Sequence, residues 1–140
     1  MRAETVLPGT ASSVPRARRF VASSLAGTDT GELTFTVALL VSELVSNAVL
    51  HAGTDVRVLV EHRDEVVRVE VSDTSARSVR SRRHRLDSGT GRGLLLVDRL
   101  SRSWGVDDSE GGKTVWFEIG LEGAAAAVEL NLVEPTADSR

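Results

Sequence analysis

The chain contains no cysteine. That excludes a disulfide framework, a thiol nucleophile and a zinc site built on thiolates. Lysine is nearly absent too: Lys113 is the sole lysine among 17 basic residues. This bias reads as the codon usage of a GC-rich genome rather than as chemistry. Positive charge is not in excess. The formal net charge is −3, so the whole molecule offers no electrostatic case for nucleic acid. No apolar run comes near the roughly 20 residues of a membrane span. The N-terminus lacks the apolar core of a signal peptide. A cytoplasmic protein without a nucleic-acid or membrane partner is the expectation.

What is present is an ordinary globular composition, 41% hydrophobic and 26% charged. At 140 residues the chain suffices for one domain with a real core. Residues 1–121 read as that domain and 122–140 as a tail, a marginal helix or loose chain. Glu4 to Leu7 reads as a short strand, broken by Pro8-Gly9. Ser12 or Ser13 caps a helix with Pro15 in its first turn and Phe20, Val21 and Leu25 on its buried side. A second helix, capped by Thr30, runs to His51 and stops at Ala52-Gly53. Val37, Leu40, Val41, Leu44, Val45 and Ala48 recur along it at helical spacing and form an apolar stripe.

The period then changes. Val56, Val58 and Val60, then Val67, Val69 and Val71, alternate with mostly polar residues around the turn Arg63-Asp64-Glu65. This is a hairpin ending at Asp73. Residues 74–88 have no useful periodicity and carry Arg77, Arg80, Arg82, Arg83, His84 and Arg85. They read as a long loop. A third helix opens from Gly89-Thr90-Gly91-Arg92-Gly93. A closing hairpin pairs Trp104–Val106 with a strand that puts Val115, Phe117 and Ile119 on one face. The expected fold is α/β of the α+β kind: a two-layer sandwich, with a mixed, mostly antiparallel sheet and helices on one face. The other sheet face is left to water or to a partner.

Three features bear on chemistry. Glu43, Asn47 and His51 stand four apart and stack along one face of the second helix. They form either the floor of a polar pocket or only the wet side of an amphipathic helix. The glycine run before the third helix is either a simple turn or a phosphate cradle, where backbone N–H groups meet an anion. It is neither a Walker A loop nor a dinucleotide fingerprint. Asp73 ends a strand beside the loop, either as a turn residue or as the acceptor for an exocyclic amine.

Together these stretches resemble the Bergerat ATP-binding fold shared by DNA gyrase, the MutL proteins, heat-shock chaperones and histidine kinases. Within that GHKL-type superfamily the chain is similar to the anti-sigma-factor serine/threonine kinases. ELVSNAVLHA, VSD, GTGRGLLLVDRLSRSWGV and GGKTVWFEI match the four family motifs in order, and the resemblance spans Thr5 to Leu121. It implies ATP and Mg²⁺ as cofactors. Asn47 would give an oxygen to Mg²⁺, and Glu43 would be the general base. Asp73 would hold the adenine amine. Gly89, Gly91, Arg92 and Gly93 would belong to the nucleotide-binding lid, and Thr114 would help fix the adenine side. His51 would have a structural or phosphate-proximal role.

The sequence departs from the superfamily after its aspartate. The usual pattern is Asp-x-Gly-x-Gly, and here it is Asp73-Thr74-Ser75-Ala76-Arg77. The implied function is a Mg-ATP-dependent protein serine/threonine kinase that acts as an anti-sigma factor. It would phosphorylate a small anti-sigma-factor antagonist, with a sigma factor as second partner and a homodimer as its assembly. No phosphoacceptor-histidine helix precedes the domain, so a sensor histidine kinase is not expected. The alternative is a module of the same fold that regulates transcription by sequestering a partner, which the missing glycines favour.

Overall fold

The computed structural model describes residues 1–28, 31–74, 91–109 and 111–120. Thr30, the arginine-rich stretch, Gly89 and the tail 122–140 lie outside the described residues. The elements run β1 (Arg2–Leu7), α1 (Ser13–Ser24), α2 (Glu32–His51), β2 (Val56–Arg63), β3 (Val66–Asp73), α3 (Gly91–Leu100), β4 (Ser103–Ser109) and β5 (Gly112–Gly120).

The five strands form one sheet in the order β1-β2-β3-β5-β4. Every pairing is antiparallel, so the parallel component of a mixed sheet is absent among the described strands. The hairpins β2–β3 and β4–β5 account for two of the four pairings. The insertion of α3 between them sends the chain across the sheet. As a result β5 pairs with β3, and β4 becomes an edge.

The helices cover one face of the sheet. α2 is the central one, packed against α1, α3, β2 and β3. All six residues of its apolar stripe are buried, as are Leu33, Thr36 and Asn47. They meet Val56, Val58 and Val60 of β2, Val67, Val69 and Val71 of β3, and Val115, Phe117 and Ile119 of β5. Strand alternation aims each of these sets at the helices. α2 stops where Gly53 takes φ +67° and its N–H returns to the Ala48 carbonyl, the left-handed glycine stop expected at a helix C-terminus. At its start Gly31 takes φ +109°, and the expected capping residue Thr30 lies outside the described residues.

One expectation about hydrophobic runs needs correcting. α2 spans 20 residues, and its most apolar window has a mean hydropathy of 1.8, long and apolar enough to cross a bilayer. Its acidic residues, Glu32 and Glu43, break the run only sparsely. In this fold half of that window is buried, and its stripe is the centre of the domain core.

The opposite face of the sheet is a layer of charge over a little apolar surface. Arg68 lies 4.4 Å from the Trp116 ring centroid, a cation–π distance. The same guanidinium reaches Glu70 at 3.1 Å and Glu118 at 3.2 Å. Burial opposes its charge, but the hydrogen bonds and charges of the two glutamates outweigh that and hold Arg68 above its usual pKa. Leu59 is buried here too, paired between Glu4 of β1 and Glu70 of β3.

Candidate functional site

The site lies where the C-terminal half of α2 crosses the ends of β3 and β5. Glu43 and Asn47 are one turn apart on α2, a rise of roughly 6 Å. Asn47 is 5% exposed, and its Nδ2 has no hydrogen-bond partner among the described residues. A buried amide nitrogen usually finds a partner, and none of the described residues supplies one here. Glu43 is half-buried beside it.

The first turn of α3 closes over this pair. A Cβ placed on Gly93 would come within 2.8 Å of Asn47 Nδ2 and 3.6 Å of Glu43 Cβ. Gly93 thus lets α3 pass close to the Asn47 side chain, and a larger residue there would have to displace that amide. Gly91 is the first residue of the same helix, so the positive end of the helix dipole stands beside the Glu43–Asn47 line. Trp104 Nε1 donates to Asp98 Oδ1 at 2.8 Å and ties α3 to β4.

Asp73 is the last residue of β3, and it is buried. Its cross-strand partner is Lys113, also buried at 8% exposure. Lys113 Nζ is 4.0 Å from Asp73 Oδ2. Gly112 makes this apposition possible, because a Cβ there would lie 2.0 Å from the Asp73 carbonyl oxygen. Leu44, Asn47, Ala48, Val71, Asp73, Lys113 and Val115 line a narrow cleft of about 10 Å³, room for a single water.

The structure thus brings Asn47 and Asp73 into one cleft, with Gly93 packed against Asn47 and Glu43 and Gly91 two residues earlier on the same helix. His51 is in the last turn of α2, half-buried. The side chain of Arg92 and all of Gly89 are outside the described residues. Thr114 is not in the cleft. It faces the opposite side of the sheet, where its hydroxyl shares a 2.8 Å hydrogen bond with Ser72. The reason is the two-residue period of β5: Thr114 is in phase with Trp116 and Glu118, and Lys113 is in phase with Val115, Phe117 and Ile119. At this end of β5 it is Lys113, not Thr114, that lines the cleft. The same alternation, read one residue earlier, carries the signal in the sequence.

The donor set suits magnesium better than a metal that demands many protein ligands. No group of three or more His, Cys, Asp or Glu side chains able to hold a metal occurs among the described residues. Mg²⁺ is usually held by one or two protein oxygens, with phosphates and water completing its shell. Asn47 offers one such oxygen, with Glu43 nearby.

Comparison with known proteins agrees with this geometry. The model of the histidine kinase-like ATPase domain matches residues 7–119. The chain belongs to that family, and with it goes a kinase-like, ATP-binding role. No curated protein matches the chain significantly. Among solved structures, the RsbU and RsbW domains of a Mycobacterium tuberculosis protein superpose with a TM-score of 0.67 at 20% identity, covering 86% of this chain and 32% of that one. The histidine kinase domain of a blue-light-activated histidine kinase from Erythrobacter litoralis gives 0.57 at 21% identity, covering 87% of this chain and 65% of that one. The chain thus spans about a third of the first structure and just under two thirds of the second. These likenesses establish the fold.

Proposed function

We propose that the chain is a Mg-ATP-dependent protein serine/threonine kinase that acts as an anti-sigma factor. The observation that carries this reading is the buried Asn47 amide, placed against Glu43 and the first turn of α3 and lining the same cleft as Asp73. Asn47 would hold Mg²⁺ through its amide oxygen, and the ion would neutralise charge on the β- and γ-phosphates. The N-terminal turn of α3 presents N–H groups to the phosphates. Asp73 accepts a hydrogen bond from the adenine amine. Glu43 takes the proton from the attacking hydroxyl, a serine or threonine of the protein substrate. Nothing covalent is needed on the kinase itself, since positioning and charge stabilisation supply most of the catalysis in phosphoryl transfer.

By resemblance the substrate is a small anti-sigma-factor antagonist and the second partner is a sigma factor, with the kinase a cytoplasmic homodimer. A second reading has one observation in its favour. The base end of the cleft is nearly filled, at about 10 Å³, and the glycines usual after Asp73 are missing. On that reading the fold binds nucleotide weakly or not at all and acts by sequestering its partner.

Two variants separate the readings. Glu43→Ala keeps ATP affinity and loses transfer of a labelled γ-phosphate to serine or threonine in the host extract. Asn47→Ala loses magnesium-dependent ATP binding in calorimetry. Mg-ATP binding by Asn47→Ala equal to that of the parent would remove the assignment, and so would undiminished transfer by Glu43→Ala.

A further inference from the structure

A buried lysine is rare, because an ammonium leaving water must be repaid by a partner. The only lysine of this chain is such a residue, and it sits in the cleft. Three features fix it there. Gly112 lets β5 pass against the Asp73 carbonyl. The strand register sets Lys113 opposite Asp73. The cleft walls around it are aliphatic, formed by Leu44, Ala48, Val71 and Val115. The 4.0 Å between Nζ and Oδ2 exceeds a hydrogen-bond distance. The two groups face one cleft as a side-by-side acceptor and donor.

That pair complements a base edge on which a donor stands beside an acceptor. Adenine has such an edge, with N6–H₂ next to N1. Hypoxanthine has the reverse, O6 next to N1–H, so in the same pose an acceptor would face the carboxylate and a donor the ammonium. In a site poor in water, mismatched polar groups go unpaired, and this is the strongest source of discrimination between similar ligands.

We propose that Lys113 reads the base: beside Asp73 it donates to adenine N1 and makes the cleft select adenine over 6-oxopurines. This rests on the Mg-ATP reading above, and the base enters as the Lys113 and Asp73 side chains part to admit it.

The test is calorimetric competition on the full chain with Mg²⁺ held constant. The ligands are ATP, 1-deaza-ATP (in which a C–H replaces N1) and ITP. The wild-type protein is expected to bind 1-deaza-ATP roughly ten- to a hundredfold more weakly than ATP, the loss of one charge-assisted hydrogen bond. ITP should be disfavoured at least as much. Lys113→Met keeps the apolar stem and removes the donor, so it should bind ATP and 1-deaza-ATP within about twofold of each other. Lys113→Arg, which keeps a cationic donor, should restore part of the difference.

Wild-type protein that binds ATP and 1-deaza-ATP equally would overturn this inference and leave the Mg-ATP reading standing, and that comparison needs no variant to fold. Tighter ATP binding by Lys113→Met would also overturn it, making Lys113 a plug. Absence of ATP binding by the wild-type protein would overturn both.

Discussion

Gly112→Ala tests whether the end of β3 and the start of β5 are packed as tightly as the site requires. The added Cβ would lie 2.0 Å from the Asp73 carbonyl oxygen, 3.0 Å from its carbonyl carbon and 3.1 Å from Thr74 Cα. The first of these is more than roughly 1 Å inside ordinary van der Waals contact. All three atoms are backbone, so no side chain can rotate away. Gly112 also takes φ +151°, a conformation that L side chains rarely adopt. Overpacking costs roughly 1–3 kcal/mol, and a strained backbone position roughly 1–3 kcal/mol more. The expected loss is therefore about 2–6 kcal/mol, a large part of the roughly 5–15 kcal/mol that a domain holds. Urea unfolding followed by Trp104 and Trp116 fluorescence would measure it, with a midpoint falling by about 1 M or more. Gly111→Ala is the internal control. It is one residue away in the same turn, with nothing within 4 Å of its Cβ, and it should change stability by no more than about 0.5 kcal/mol. If Gly112→Ala unfolded at the same urea concentration as Gly111→Ala, the close passage of the two strands would be wrong, and so would the placement of Lys113 against Asp73.

Other substitutions probe separate parts of the account. Gly93→Ala places a Cβ 2.8 Å from Asn47 Nδ2, so it should weaken Mg-ATP binding at least roughly tenfold. Global stability should change by less than about 1 kcal/mol, since alanine is the better helix former; equal loss of both would mean simple misfolding. Thr114→Val should cost about 1 kcal/mol through the lost Ser72 hydrogen bond and leave ATP affinity unchanged. A large fall in affinity would return Thr114 to the cleft. Trp104→Phe removes the Nε1 donor to Asp98 and should cost about 0.5–1.5 kcal/mol in urea unfolding, with faster amide exchange along α3 as the sign that this bond anchors the helix.

The helical and strand cores were legible because each has a single period. The α2 stripe and the inward valines of β2 and β3 are all buried where spacing puts them. The site was legible where it rides on α2, since four-residue spacing fixes one face for Glu43 and Asn47 whatever surrounds them. On β5 the spacing is less forgiving, because shifting one residue exchanges the two faces of the sheet. Thr114 is chemically suited to a base-binding role but stands in phase with Trp116 and Glu118 on the far face. Leu59 shows the opposite problem. Its alternation assigns it to the outer face, and it is buried there because Glu4 and Glu70 flank it, a tertiary effect that no local pattern carries. The start of α2 is marked by the left-handed backbone of Gly31, a glycine that reads in the sequence as part of the linker before the helix. The strand order is likewise a property of how α3 carries the chain across the sheet.

The central claim is that the cleft beneath α2 binds Mg-ATP. Titration calorimetry of the wild-type chain with ATP, in the presence and absence of Mg²⁺, tests it most directly. The account predicts saturable binding that strengthens when magnesium is added. No heat of binding at millimolar ATP, or binding indifferent to magnesium, would contradict it.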